Sequence, residues 1–108
     1  MTTCIFCKIL NGEIPSTKVY EDEHTYAFLD AFPVAPHHTL VIPKKHYENM
    51  FDVPEQELAH IIKTVKQIVE SYKTEFGMKH VNILNNSGAE AQQTVFHLHF
   101  HIIPRGLK

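Results

Sequence analysis

Eight residues, Phe96-His97-Leu98-His99-Phe100-His101-Ile102-Ile103, constrain this chain more than any other stretch. Side chains on a strand alternate faces. A strand from Val95 to Ile103 therefore puts His97, His99 and His101 on one face and Phe96, Leu98, Phe100 and Ile102 on the other. The apolar face needs a covering layer, and the imidazoles form a row of neighbours roughly 7 Å apart, twice the strand rise. One histidine in such a strand reads as a structural residue. Three in alternation, backed by an unbroken apolar face, read as functional. A neutral imidazole can attack phosphorus when a neighbour fixes its tautomer, and imidazoles two apart can also chelate a metal that activates water. The spacing alone does not choose between these chemistries.

The covering layer is a long helix. Leu58, Ile61, Ile62, Val65, Ile68, Val69, Tyr72 and Phe76 recur at helical spacing, after Pro54 with Asp52 as its expected N-cap and before Gly77. A short helix is expected over Cys4 to Leu10, and strands over Lys18 to Glu21, Thr25 to Asp30, Thr39 to Pro43 and His80 to Leu84. One long and one short helix with an antiparallel sheet of about five strands make an α+β domain, expected to take in all of residues 1–108.

Composition narrows the partners. A formal net charge of −2 argues against a chain that lives on nucleic-acid phosphates, though a small anionic ligand remains open. No basic-plus-apolar leader and no apolar run of about 20 residues is present, so a cytoplasmic protein with no membrane partner is expected. In that setting Cys4-Ile5-Phe6-Cys7 reads as metal-binding or redox-active. Nine histidines exceed what a neutral fold needs. His24, His60 and His80 are expected to be solvated, and His37 is ambiguous beside His38. Around the triad, Asn85-Asn86-Ser87-Gly88 and Gln92-Gln93-Thr94 supply amide and hydroxyl groups. Neither paired carboxylates nor a Gly-rich phosphate loop accompanies them.

The segment QTVFHLHFHIIPR, Gln93 to Arg105, resembles the signature of the histidine triad (HIT) superfamily of nucleotide hydrolases and transferases. CIFCKILNGEIPS near the start and APHHTLVIPKKH, Ala35 to His46, resemble its Hint branch, most closely the short bacterial-type members. The resemblance implies a homodimer with edge-to-edge sheets. It also implies hydrolysis of purine nucleoside 5′-phosphoramidates through a nucleotidyl-histidine intermediate. By position in the motif His99 is the implied nucleophile, with His101 and His38 orienting it and stabilising charge, and Thr94 near the leaving amine. Asn86, Gln93 and the Val95 amide are the implied phosphate contacts, Ile5, Phe6, Ile9, Phe28 and Leu40 the base pocket, and Asp30 the acceptor for the ribose hydroxyls. On pattern alone those five apolar residues read as core, and Asp30 as a turn residue.

No metal is implied for the chemistry. Some bacterial-type members hold structural zinc through residues matching Cys4, Cys7, His46 and His97. Such a site is closed and tetrahedral, so it leaves no open catalytic position. Two departures stand out: Gln92 occupies a position usually glycine, and, with Lys108 the last residue, the selectivity that a longer tail shapes in relatives is expected to differ here. Three rival readings remain: a Fhit-like dinucleoside polyphosphate hydrolase, a zinc-stabilised nucleotide-binding or interaction protein with incidental hydrolysis, and a metal hydrolase using the triad as ligands.

Overall fold

The computed structural model describes residues 3–107, so the chain end at Lys108 lies outside the described residues. The first helix, α1 (Ile5–Leu10), starts from Cys4, whose Sγ accepts the Cys7 amide proton at 3.3 Å. A thiol here does what a serine hydroxyl more often does at a helix start. Strands β1 (Lys18–Glu21) and β2 (Thr25–Leu29) are joined by a turn in which Asp22 accepts the amides of His24 and Thr25, both at 2.8 Å. Strand β2 ends one residue short of the expected Asp30, and β3 (Thr39–Pro43) is buried along its whole length.

The long helix α2 spans Glu55–Phe76. Asp52 does not cap it. Its carboxylate accepts the amides of Glu48 and Asn49 at 3.1 and 3.0 Å, closing the preceding loop, and Pro54 occupies the cap position with no side-chain bond. Glu55 and Glu57 put negative charge at the helix start, and Gly77 ends it at φ 69°, a left-handed turn that suits glycine. Ile61, Val65, Ile68 and Tyr72 pack on Ala27, Val41, Leu98, Phe100 and Ile102, with Leu58, Val69 and Phe76 at the margin. Ile62 departs from the expected stripe and is 45% exposed, because one step of about 100° past Ile61 turns it off the sheet-facing side. A buried hydroxyl pair, Thr25 Oγ1 and Thr64 Oγ1 at 2.8 Å, fixes helix against sheet; Thr25 donates to Asp22, so Thr64 is the donor.

Strands β4 (His80–Leu84) and β5 (Phe100–Arg105) complete an antiparallel sheet in the order β1-β2-β3-β5-β4. Leu40 stands opposite His101 on one side of β5, and Leu84 opposite it on the other. The expected strand from Val95 to Ile103 is thus shortened and displaced. The stretch before Phe100 bonds to loops: the Leu98 amide donates to the Tyr47 carbonyl at 2.7 Å, and Asn85 Nδ2 donates to the His99 carbonyl at 3.0 Å. Leu98, Phe100 and Ile102 still share the core face, but Phe96 lies beyond it and is 42% exposed. A 3-10 turn at Ala89–Ala91, not foreseen, sits in the loop before the triad.

Candidate active site and metal-binding cluster

The histidines before and within β5 have different partners, and each partner fixes a tautomer. The Val34 amide donates to His38 Nδ1 at 3.2 Å, so neutral His38 carries its proton on Nε2. That proton goes to His101 Nδ1 at 2.9 Å, which leaves the His101 proton on its own Nε2. His99 Nδ1 donates to the His97 carbonyl at 2.8 Å, so His99 Nε2 has the lone pair. The rings of His99 and His101 lie 5.1 Å apart, closer than the strand rise alone would set them. One imidazole with an open lone pair therefore sits beside one that carries a proton.

Burial pushes His38, His97, His99 and His101 below the ordinary imidazole value, His97 and His101 to about 4. Desolvation outweighs the opposing pull of Asp30 on His38, His99 and His101. All four are neutral at pH 7, the form a nucleophile or a metal ligand requires.

His37 turns away from this cluster. The Thr39 hydroxyl donates to the His37 carbonyl at 2.8 Å and accepts from Tyr72 at 2.7 Å, while His37 holds φ 63° and stacks on Phe76 at 3.9 Å. That leaves His38 as the residue facing His101. Asp30 lies next to it: Oδ1 accepts the Phe32 amide at 2.9 Å, and Oδ2 stands 3.5 Å from His38 Nε2. His60 and His80 are exposed, as expected; His24 is half-buried and stacks face to face on His60 at 3.9 Å.

The loop carrying Gln93 is built around that side chain. Gln93 Oε1 accepts from the Gly88 amide at 2.7 Å and from Asn49 at 3.3 Å, and Nε2 donates to the carbonyls of Glu48 and Val95 at 2.7 and 3.1 Å. Both amide protons are engaged with the backbone, so the side chain shapes the loop; it has no spare donor for a ligand in this arrangement. Asn49, Asn85 and Ser87 brace the same loop, with Ser87 donating to Asn85 at 2.7 Å. Asn49 carries no motif signal, since only the folded chain brings it to Gln93. Asn86 is half-buried, and exposed Thr94 lines a cavity of about 500 Å3 with Val95, Phe96, His46 and Glu48.

Of the apolar residues expected around a base, Phe6, Phe28 and Leu40 are buried in a satellite cluster with Ile42. Phe6 sets its ring edge-on to both Phe28 at 5.6 Å and His99 at 5.2 Å. Ile9 is half-buried and Ile5 is exposed, so these two form the accessible rim.

Cys4, Cys7, His46 and His97 converge at the other end of the triad. His97 Nε2 donates to the Pro43 carbonyl at 2.9 Å, which turns its Nδ1 lone pair toward Cys4 Sγ at 3.3 Å and Cys7 Sγ at 3.5 Å. His46 Nδ1 is 3.3 Å from Cys7 Sγ. Sulfur and nitrogen ligands on one tetrahedral zinc stand about 3.6 Å apart, so the donor set fits zinc, with Pro43 orienting one ligand from behind. Asp30, His38 and His101 also cluster, but with the Val34 amide on His38 Nδ1 the facing Nε2 carries a proton and offers no lone pair. That second cluster is a proton-bearing chain in form.

A family model described as the HIT domain matches residues 11–107. An uncharacterised HIT-like protein of Methanocaldococcus jannaschii is 58% identical over 94% of this chain and 78% of its own length. The adenosine 5′-monophosphoramidase of Candida albicans is 42% identical over 95% of this chain and 70% of its own. A crystal structure of a Zn-bound histidine triad family protein from Mycobacterium smegmatis superposes with a TM-score of 0.91 at 38% identity, covering 95% of this chain and 75% of that one. The same backbone arrangement therefore recurs in proteins somewhat longer than this chain.

Proposed function

The chain belongs to the HIT-domain family, and from that premise we propose that it hydrolyses the P–N bond of purine nucleoside 5′-monophosphoramidates through a nucleotidyl intermediate on His99. The observation that carries the reading is the tautomer sequence: His99 Nε2 keeps its lone pair because Nδ1 is committed to the His97 carbonyl, while neighbouring His101 bears its proton on Nε2. The name of the Candida albicans relative supports the substrate class.

In this mechanism His99 Nε2 attacks the α-phosphorus and the amine departs. Water then displaces the imidazole from phosphorus, releasing the mononucleotide. His101 and His38 orient the nucleophile and stabilise charge on the phosphate oxygens. The Val95 amide and Asn86 contact those oxygens, and Gln93 acts by holding the loop that presents them. Thr94 lies near the leaving amine. Ile5 and Ile9 flank the base against the buried Phe6, Phe28 and Leu40, and Asp30 accepts from the ribose hydroxyls.

Cys4, Cys7, His46 and His97 hold zinc in this account, supported by the fit of the donor set and by the Zn-bound Mycobacterium smegmatis relative. Zinc there would tie α1 to the triad segment and add stability; the chemistry is carried by the imidazoles. Residues 1–108 act as one domain, in the cytoplasm, and pair with a second copy through the outer edge of β4, where Ile83 and Leu84 are exposed. Among the described residues no helix is long and apolar enough to cross a membrane.

The direct test is release of AMP from adenosine 5′-phosphoramidate, with chelator present, by the native chain and by His99→Ala. Turnover by the native chain and a loss of at least about 1000-fold in the variant are expected for removal of a nucleophile. Turnover that vanishes with chelator while the circular dichroism of the folded chain is unchanged, or that survives in His99→Ala, contradicts the reading.

A further inference from the structure

We propose that Asp30 is a positioning residue for proton delivery: its carboxylate is the counter-ion that lets the buried His38–His101 pair carry the proton needed by the departing amine. This deepens the phosphoramidase reading and rests on it. It gives Asp30 a second task beside the ribose contact.

The geometry is specific. Asp30 Oδ1 is held by the Phe32 amide at 2.9 Å, which aims Oδ2 at His38 Nε2, 3.5 Å away. His38 Nε2 in turn bonds His101 Nδ1 at 2.9 Å, and the His38 side chain is only 4% exposed. A positive charge on such a pair is costly without a partner. Among the described charged and titratable residues that act on the two imidazoles, Asp30 alone favours a proton; Arg105 opposes it at His38, and His99 and His38 oppose it at His101. The cluster does not offer a cation site, because the Val34 amide keeps the His38 proton on the nitrogen facing His101.

The chemistry needs this charge. An amine cannot leave phosphorus as an amide anion, so its nitrogen must gain a proton as the bond breaks. In the free protein burial keeps the pair neutral, with His101 at about 4. The anionic phosphoramidate adds a second negative charge beside Asp30; as substrate binds, the His38 Nε2 proton turns from His101 to Asp30 Oδ2, and the freed His101 Nδ1 takes one proton from solvent. The His99 Nε2 lone pair then forms the bond to phosphorus. The P–N electron pair goes to the amine nitrogen, and the proton moves there from His101 Nε2. The amine leaves neutral, the pair returns to neutral, and His99 holds the positive charge as the nucleotidyl-imidazolium. In the second half water gives one proton to the pair as its oxygen bonds phosphorus, and His99 departs neutral.

Two leaving groups separate proton delivery from ribose binding. Adenosine 5′-phosphoramidate with an alkylamine leaving group needs a proton; adenosine 5′-(4-nitrophenyl) phosphate releases an anion that does not. Native protein, Asp30→Asn and Asp30→Glu are compared on both, and on the 2′,3′-dideoxy forms that lack the ribose hydroxyls. Asp30→Asn keeps an acceptor for the Phe32 amide, so the loop is preserved. The kcat ratio of amide to ester is expected to fall about 100-fold in Asp30→Asn, the usual scale of general-acid assistance, and by the same factor in the dideoxy series. Asp30→Glu, which keeps the charge, is expected to recover part of that ratio. In Asp30→Asn the limb of the kcat profile that falls with rising pH moves to lower pH, since the protonated pair has lost its counter-ion. Equal kcat losses on both leaving groups, or a loss that disappears in the dideoxy series, would overturn the proposal and leave Asp30 a ribose contact. Native protein that turns over neither amide would overturn the phosphoramidase reading itself, and this proposal with it.

Discussion

A single backbone amide, that of Val34, decides which nitrogen of His38 carries the proton, and the choice passes to His101. The His97 carbonyl makes the same decision for His99, and the Pro43 carbonyl makes it for His97. None of these donors and acceptors can be read from residue types, because every residue has the same amide and carbonyl. The three imidazoles were legible in the two-residue spacing; their tautomers were not. Gln92 shows the opposite case. It holds φ 73°, a left-handed conformation that costs a side chain with Cβ about 1 kcal/mol or more, at the position where the resemblance led one to expect glycine. Its side chain is exposed, so Gln92→Gly is expected to raise stability by about 1 kcal/mol in urea unfolding at unchanged slope. A destabilised variant would mean that the side chain, not the backbone angle, governs this turn.

At the level of elements, periodicity located both helices and four strands within a residue or so, because α2 and β3 are governed by one-sided or complete burial. It failed where the backbone bonds to loops. The alternation from Phe96 to Ile103 persists as a pattern of buried core residues, yet the ladder begins only at Phe100, since Leu98 is bonded to Tyr47. Apolar character alone also misassigned Ile62 to the core stripe. The packing makes a sharp contrast between adjacent isoleucines: Ile61 is fully buried and Ile62 is 45% exposed. Ile61→Ala is expected to cost about 3 kcal/mol and Ile62→Ala less than about 1, measured by denaturant unfolding of the metal-loaded protein. Comparable losses at the two sites would place the helix face elsewhere.

On the scale of the whole molecule, the sheet sets a proton-bearing cluster at one end of the triad and a sulfur–imidazole cluster at the other, with His99 between them. The three motifs carried the family and the grouping of distant residues such as Cys4 with His97; they did not carry the loop built on Gln93, whose bonds come from Glu48, Asn49 and Gly88. The outer strand β4 leaves Ile83 and Leu84 exposed beside unpaired backbone, a surface that pairing with a second copy would cover. Sedimentation equilibrium is expected to give twice the chain mass of 12.5 kDa, and Ile83→Lys to shift it toward the monomer; a native protein at 12.5 kDa throughout would contradict the pairing. In the proposed reaction the group on phosphorus is displaced twice, the amine by His99 and then the imidazole by water. The most direct test is the stereochemical course at phosphorus, read from hydrolysis of one diastereomer of an adenosine 5′-phosphoramidothioate in 18O-water. Two in-line displacements predict net retention of configuration; inversion would mean that water attacks the substrate directly and would contradict the histidine intermediate.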